Sequence, residues 1–155
     1  MHCYFEDLFV GLRQAAGSVE VTEAECLAFA QAYDPQAMHL DPDAAERSRF
    51  GGLIASGWLT AALVMRLIAE SRPFGDTEVL GMGIENLRWR LPVRPGDTLH
   101  AEMEVVSVAP SESNPVFGIV KFTVTTRNQK GEVVMVHSPI CWVPRRPEGS
   151  VESTP

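Results

Sequence analysis

Apolar and polar positions repeat with two different periods along this chain, and the change near residue 77 separates a helical first half from a stranded second half. Residues 1–17 mix Tyr4, Phe5 and Phe9 with charge and predict an extended lead-in lying on the domain. Residues 18–21 alternate polar and apolar, predicting a short strand. Thr22-Glu23-Ala24-Glu25 has the form of a capping box, in which the Thr22 hydroxyl accepts from the Glu25 N–H and the Glu25 carboxylate reaches back. Cys26, Leu27, Ala30 and Tyr33 follow near helical spacing. Asp34-Pro35 stops that helix, because a residue before proline is pushed out of the helical region. Asp41-Pro42-Asp43 opens a shorter helix, with Asp41 suited to the N-cap and Pro42 to the first helical position. Beyond Gly51-Gly52, residues 58–68 are apolar almost all round, so this helix needs cover on most sides; Glu70, Ser71 and Pro73 end it.

The second half predicts four strands, over residues 78–90, 98–108, 116–126 and 133–143. Gly81 and Gly83 allow a bend or bulge in the first. Two prolines and a glycine in residues 91–97 make a turn, residues 109–115 a polar loop, and Asn128-Gln129-Lys130-Gly131 a hairpin turn with Gly131 at positive φ. The last eleven residues, 145–155, carry almost no apolar content and are expected to form a disordered tail. Helices followed by a meander of long strands, with one very apolar helix to cover, define an α+β fold. A single domain over residues 1–144, with a curved antiparallel β-sheet wrapped around a central apolar helix, is the hot-dog arrangement. Open sheet edges then lead to the expectation of a homodimer or a dimer of dimers.

Composition narrows the function classes. The chain has 155 residues, enough to bury a core without staples, and a formal charge of −7, which argues against a nucleic-acid partner. Cys3, Cys26 and Cys141 are odd in number and lack CxxC spacing, so they read as reduced thiols of a cytoplasmic protein. Glu6 and Asp7 stand where a signal peptide needs cations, and the apolar run 58–68 is about half the ~20 residues of a membrane span, so no membrane association is expected.

Candidate chemistry concentrates in residues 33–57. Asp34 and His39 lie five positions apart, and the stretch ends in a glycine-rich turn feeding the apolar helix. A turn aspartate and a half-buried loop histidine are common, and spacing alone does not separate that reading from a chemical one. Chemically, His39 can take and give a proton near neutral pH, and a close carboxylate can share the task. The free N–H groups at the start of a helix can stabilise negative charge on a carbonyl oxygen. Those parts suffice for adding water to a double bond conjugated with a carbonyl. His100 and His137 sit in strands and read as surface or satisfied core residues, and no two histidines lie close enough in sequence to suggest a metal site.

The segment 34–44 (DPQAMHLDPDA), followed by FGGLIASG and an apolar helix, resembles the MaoC-like (R)-specific enoyl-CoA hydratases and dehydratases. Residues 91–99 (LPVRPGDTL) resemble the same family's Pro-x-x-x-Gly-Asp turn, and the agreement extends over roughly residues 4–144. The resemblance implies Asp34 and His39 as the catalytic pair that activates a water, and Gly57 as the residue whose N–H holds the thioester oxygen. It implies an acyl-CoA thioester substrate, with coenzyme A entering as part of it along a subunit boundary, and no metal or redox cofactor. Gln36 and Ala37 stand where the family usually has Asn and Pro, and Ser56 where many members have His. Gln36, Ser56, Trp58 and Arg94 are the further positions expected to bear on substrate binding, with Arg88, Arg90 and Arg94 as candidate phosphate contacts. Two alternatives stand beside this reading: a hot-dog thioesterase, and an acyl-CoA-binding partner subunit without turnover. No acidic residue lies between Gly57 and Ala69, where such a thioesterase carries its carboxylate.

Overall fold

In the computed structural model, which describes residues 1–148, five antiparallel strands form one sheet in the order β1-β3-β4-β5-β2. The strands are β1 (Arg13–Glu20), β2 (Leu80–Trp89), β3 (Thr98–Pro110), β4 (Phe117–Arg127) and β5 (Val133–Pro144). The helices are α1 (Glu23–Tyr33), α2 (Ala37–Leu40), α3 (Pro42–Glu46) and α4 (Gly57–Ser71). Period-two patterning does what the sequence implies: in β4 the side chains of Val120, Phe122 and Val124 all point inward. They meet Leu59, Leu63, Val64 and Leu67 of α4, which lies in the sheet's curve against β1 and β3. This is the hot-dog arrangement.

The local signals are realised in detail. The Thr22 hydroxyl accepts from the Glu25 N–H at 3.2 Å while the Glu25 carboxylate returns to Thr22, and the Asp41 carboxylate caps α3 at the N–H groups of Asp43 and Ala44. Gly131 takes φ 77 in the β4–β5 turn, and the register of β2 slips between Gly81 and Gly83. A second irregularity in β2, between Glu85 and Arg88, contains Asn86 at φ 55, which the pattern did not announce.

Four differences have physical causes. Strand β1 starts at Arg13 rather than 18, because a bulge between Ala15 and Gly17, with Gly17 at φ 90, breaks the alternation without ending the pairing to β3. The lead-in is partly coiled, with a short 3₁₀ turn over Phe5–Asp7. Helix α4 is covered by the sheet on one side only: Trp58 and Met65 stay 59% and 60% exposed. The stretch expected as a tail begins with residues held in place. Arg145 Nε donates to Glu6 at 2.9 Å and Arg146 bonds Asp7 at 2.6 Å, while 149–155 lie outside the described residues. Among the described residues no helix is long and apolar enough to cross a membrane.

Candidate active site

Asp34 ends α1, and Pro35 forces the chain to turn there. Gln36 then opens the single turn of α2, which carries His39 back toward Asp34. The opposing wall is the extended segment 54–56, anchored by the Ile54 N–H on the Met38 carbonyl and the Ala55 N–H on the Val93 carbonyl, at 3.3 and 2.7 Å. Ile54 turns its own carbonyl to His39 Nδ1, 2.8 Å away. Since a carbonyl only accepts, Nδ1 carries the hydrogen, and in the neutral ring Nε2 holds a lone pair. That nitrogen lies 3.4 Å from Asp34 Oδ2.

Asp34 is held from both oxygens. Gln36 Nε2 donates to Oδ1 at 2.7 Å and the Ser56 hydroxyl donates to Oδ2 at 2.6 Å. These bonds, Gln36's first and Ser56's second, hold the Asp34 carboxyl below the usual carboxylate range, with a smaller contribution from His39; partial burial opposes them. The ionised carboxylate and the Nε2 lone pair are both acceptors, so they favour a molecule with two O–H donors lying against both. Water fits that description.

Ser56 also organises the start of α4. Its buried hydroxyl accepts from the Trp58 N–H at 3.3 Å, making it the N-cap. The Gly57 N–H, at the first helical position, has no hydrogen-bond partner among the described residues and belongs to the positive end of the helix dipole. Gly57 must be glycine for space: a Cβ there would sit 2.6 Å from Cε2 of Trp89. The Trp89 indole N–H donates to the Gly57 carbonyl at 2.9 Å, and its ring meets Trp58 edge-on with centroids 5.2 Å apart.

A cavity of about 360 Å³ opens onto these groups, lined by Asp34, Gln36, His39, Gly57, Trp58 and Trp89 among others. Of the residues singled out in the sequence, Asp34, Gln36, His39, Gly57 and Trp58 therefore converge. Ser56 lies behind the wall, on Asp34. Arg94 stands apart: its guanidinium donates to the Phe50 carbonyl and packs on the Gly51-Gly52 turn, and its backbone N–H donates to Asp97. Arg90, one turn of chain earlier, reaches the cavity instead, as do Thr60 and Trp89. Trp89 had no local signal, since only the path of β2 brings it over Gly57. Among the described residues no group of His, Cys, Asp and Glu is arranged to hold a metal.

Residues 12–128 match the MaoC like domain family. The chain belongs to that family. Its fold agrees with a crystal structure of a MaoC-like dehydratase from Rhodospirillum rubrum, 46% identical, covering 93% of this chain and 98% of that one, with a TM-score of 0.87. A 3-hydroxybutyryl-CoA dehydratase of Methylorubrum extorquens is 32% identical over 108 residues, 69% of this chain and 66% of its own length. An (R)-specific enoyl-CoA hydratase of Rhodospirillum rubrum is 27% identical over 144 residues, 92% and 93% of the two lengths. As a MaoC-like protein this chain falls among hydratase and dehydratase relatives, and Asp34, His39 and the first residue of α4, Gly57, border one cavity.

Proposed function

We propose that this MaoC-like protein is an acyl-CoA hydratase/dehydratase, adding water reversibly to a trans-2-enoyl-CoA or removing it from an (R)-3-hydroxyacyl-CoA. The observation that carries the reading is the convergence of Asp34, His39 and the unpaired Gly57 N–H on one cavity. Water donates one hydrogen to Asp34 and the other to His39 Nε2. As its oxygen bonds to C3 of the enoyl group, His39 takes the proton, and the electron pair of the double bond moves toward the thioester oxygen. The Gly57 N–H and the α4 dipole stabilise that enolate. His39 returns its proton to C2, which restores the resting site. Asp34, held ionised by Gln36 and Ser56, orients the water and stabilises the imidazolium during the interval. The reverse sequence eliminates water. No electron leaves or enters, so the step needs no redox cofactor, and coenzyme A comes only as part of the substrate.

Gln36 supplies Asp34 with an amide donor from the position where the family usually has Asn, so the exchange leaves the carboxylate supported. This weakens the case for a partner subunit without turnover. The first acidic residue of α4 is Glu70, in its last turn, which weakens the thioesterase alternative. Three free thiols suit a reducing cytoplasm. Among the described residues strand β2 pairs only with β5, and its Leu80, Met82 and Ile84 stay exposed, as does Met65 of α4. A homodimer, or a dimer of dimers, formed along that edge covers them. The test of the reaction is product identity. Incubation with a trans-2-enoyl-CoA should yield the (R)-3-hydroxyacyl-CoA on chiral analysis, whereas release of free coenzyme A without hydration would point to the thioesterase.

A further inference from the structure

A second cavity, larger than the one at the dyad, plays no part in the dyad's geometry. It encloses about 650 Å³, within the range of small-molecule sites. It lies between the C-terminal half of α4 and the first half of β2, with Met65, Ile68, Phe74, Ile84 and Phe122 among its apolar walls. The two cavities follow one another along the same two elements, α4 and β2. Gly57 and Trp58 of α4 and Trp89 of β2 border the first; Met65 to Arg72 of α4 and Gly81 to Ile84 of β2 border the second. Trp58, Ala62, Met65 and Ala69 follow one another at three- and four-residue spacing along the exposed stripe of α4 that joins them. From Gly57 to Ile68 the helix advances about 16 Å.

One polar group interrupts the apolar wall. His137 lies on the inner side of β5 with Pro139 and Cys141, at the period-two spacing that lines one sheet face. It is only 9% exposed, and its Nδ1 is shut off from any hydrogen-bond partner among the described residues. Nε2 forms no hydrogen bond there either but is not closed off as Nδ1 is, so the ring's residual exposure falls on the cavity it lines. Buried N–H groups are left unpaired more rarely than buried acceptors, which places the hydrogen on Nε2, toward the open space. Burial also lowers the pKa of His137, so the ring is neutral and acts as a plain N–H donor.

We propose that, with the far part of the acyl chain lying in this cavity, His137 selects chains bearing an uncharged oxygen acceptor there, such as a keto, ether or ester oxygen. The substrate class is then an oxygenated 2-enoyl or 3-hydroxyacyl thioester rather than a plain alkyl one. An alkyl chain would dry the cavity and leave the imidazole N–H unpaired, which is how a site built around a hydrogen bond rejects the analogue that lacks the group. A terminal carboxylate would have to give up its hydration among apolar walls against a neutral ring.

The inference rests on the hydratase reading for its reaction, and a binding measurement keeps the two separable. Saturated acyl-CoAs of matched length, one series plain alkyl and one with a ketone at successive positions, are titrated calorimetrically into the full chain. At the best position the ketone should bind about tenfold more tightly than the alkyl chain. His137→Leu should abolish or invert that preference, and His137→Gln, which keeps an N–H donor, should retain part of it. Equal or tighter binding of the plain alkyl series by the wild-type chain overturns the proposal, whether or not either variant folds. Ketone-selective binding without hydration of a short enoyl-CoA by the wild-type chain would overturn the hydratase reading and leave the role of His137 standing.

Discussion

The buried Ser56 hydroxyl donates to Oδ2 of Asp34 across 2.6 Å while accepting the N–H of Trp58, so one side chain caps the central helix and aims the carboxylate at the end of α1. Ser56→Ala removes both bonds. Stability should fall by about 1 kcal/mol, the usual worth of an N-cap, measured by urea denaturation. Hydration should slow by roughly ten- to a hundredfold, as expected for a lost hydrogen bond to a charged group. Wild-type rates in a stably folded Ser56→Ala protein would show that Asp34 does not depend on this anchor.

Gln36 is the largest cause of the depressed Asp34 pKa, and this can be read directly. The Asp34 carboxyl carbon, followed by NMR against pH, should titrate below a free aspartate, and Gln36→Ala should move its midpoint upward. The sign for stability follows from linkage. A depressed folded pKa stabilises the fold above the unfolded value of about 3.9, and that contribution disappears as pH falls through the folded pKa. The wild type should therefore hold its advantage over Gln36→Ala at neutral pH and lose it in acid. An advantage that grows in acid would contradict the account.

Gly57 needs space rather than an unusual backbone, since it takes an ordinary first-turn helical position and the Trp89 ring lies over it. Gly57→Ala should push Trp89 off the start of α4, break its bond to the Gly57 carbonyl and shift the tryptophan fluorescence. The cost expected for such overpacking is about 1–3 kcal/mol. Unchanged fluorescence and turnover would mean that the indole yields freely.

The exposed edge of β2 predicts the oligomeric state. Met82→Glu or Ile84→Lys places charge among the apolar side chains that a second copy would cover. Sedimentation velocity should show the wild type as a dimer or tetramer and these variants shifted toward monomer. A monomeric wild type would remove the basis for a shared substrate boundary.

Much of this was legible in the sequence, because the signals concerned are local. Thr22 and Glu25, Asp41 and Pro42, and Gly131 each act within a turn of their own position. The alternation in β3 to β5 survives because one face of each strand is buried. The Asp34–His39 pair was visible for the same reason: a proline stop and one turn of α2 fix their relation. What escaped depends on distant parts of the chain. Trp89 meets Gly57 only through the course of β2, and Arg94, a neighbour of the site in sequence, is drawn off to the Phe50 carbonyl. The inner position of His137 follows from sheet register, and its missing partner from the shape of a cavity. The bulge at Ala15–Gly17 hid half of β1 because a bulge shifts the very period by which strands are read.

The central claim is that Asp34 and His39 together activate water for addition to an enoyl thioester. Its most direct measurement is the fall in enoyl-thioester absorbance when a short trans-2-enoyl-CoA is mixed with the wild type, Asp34→Asn or His39→Ala, each checked by circular dichroism. The account predicts rapid loss of absorbance with the wild type and at least a hundredfold slower loss, by the usual scale of acid–base contributions, with either folded variant. Full activity in either one would contradict it.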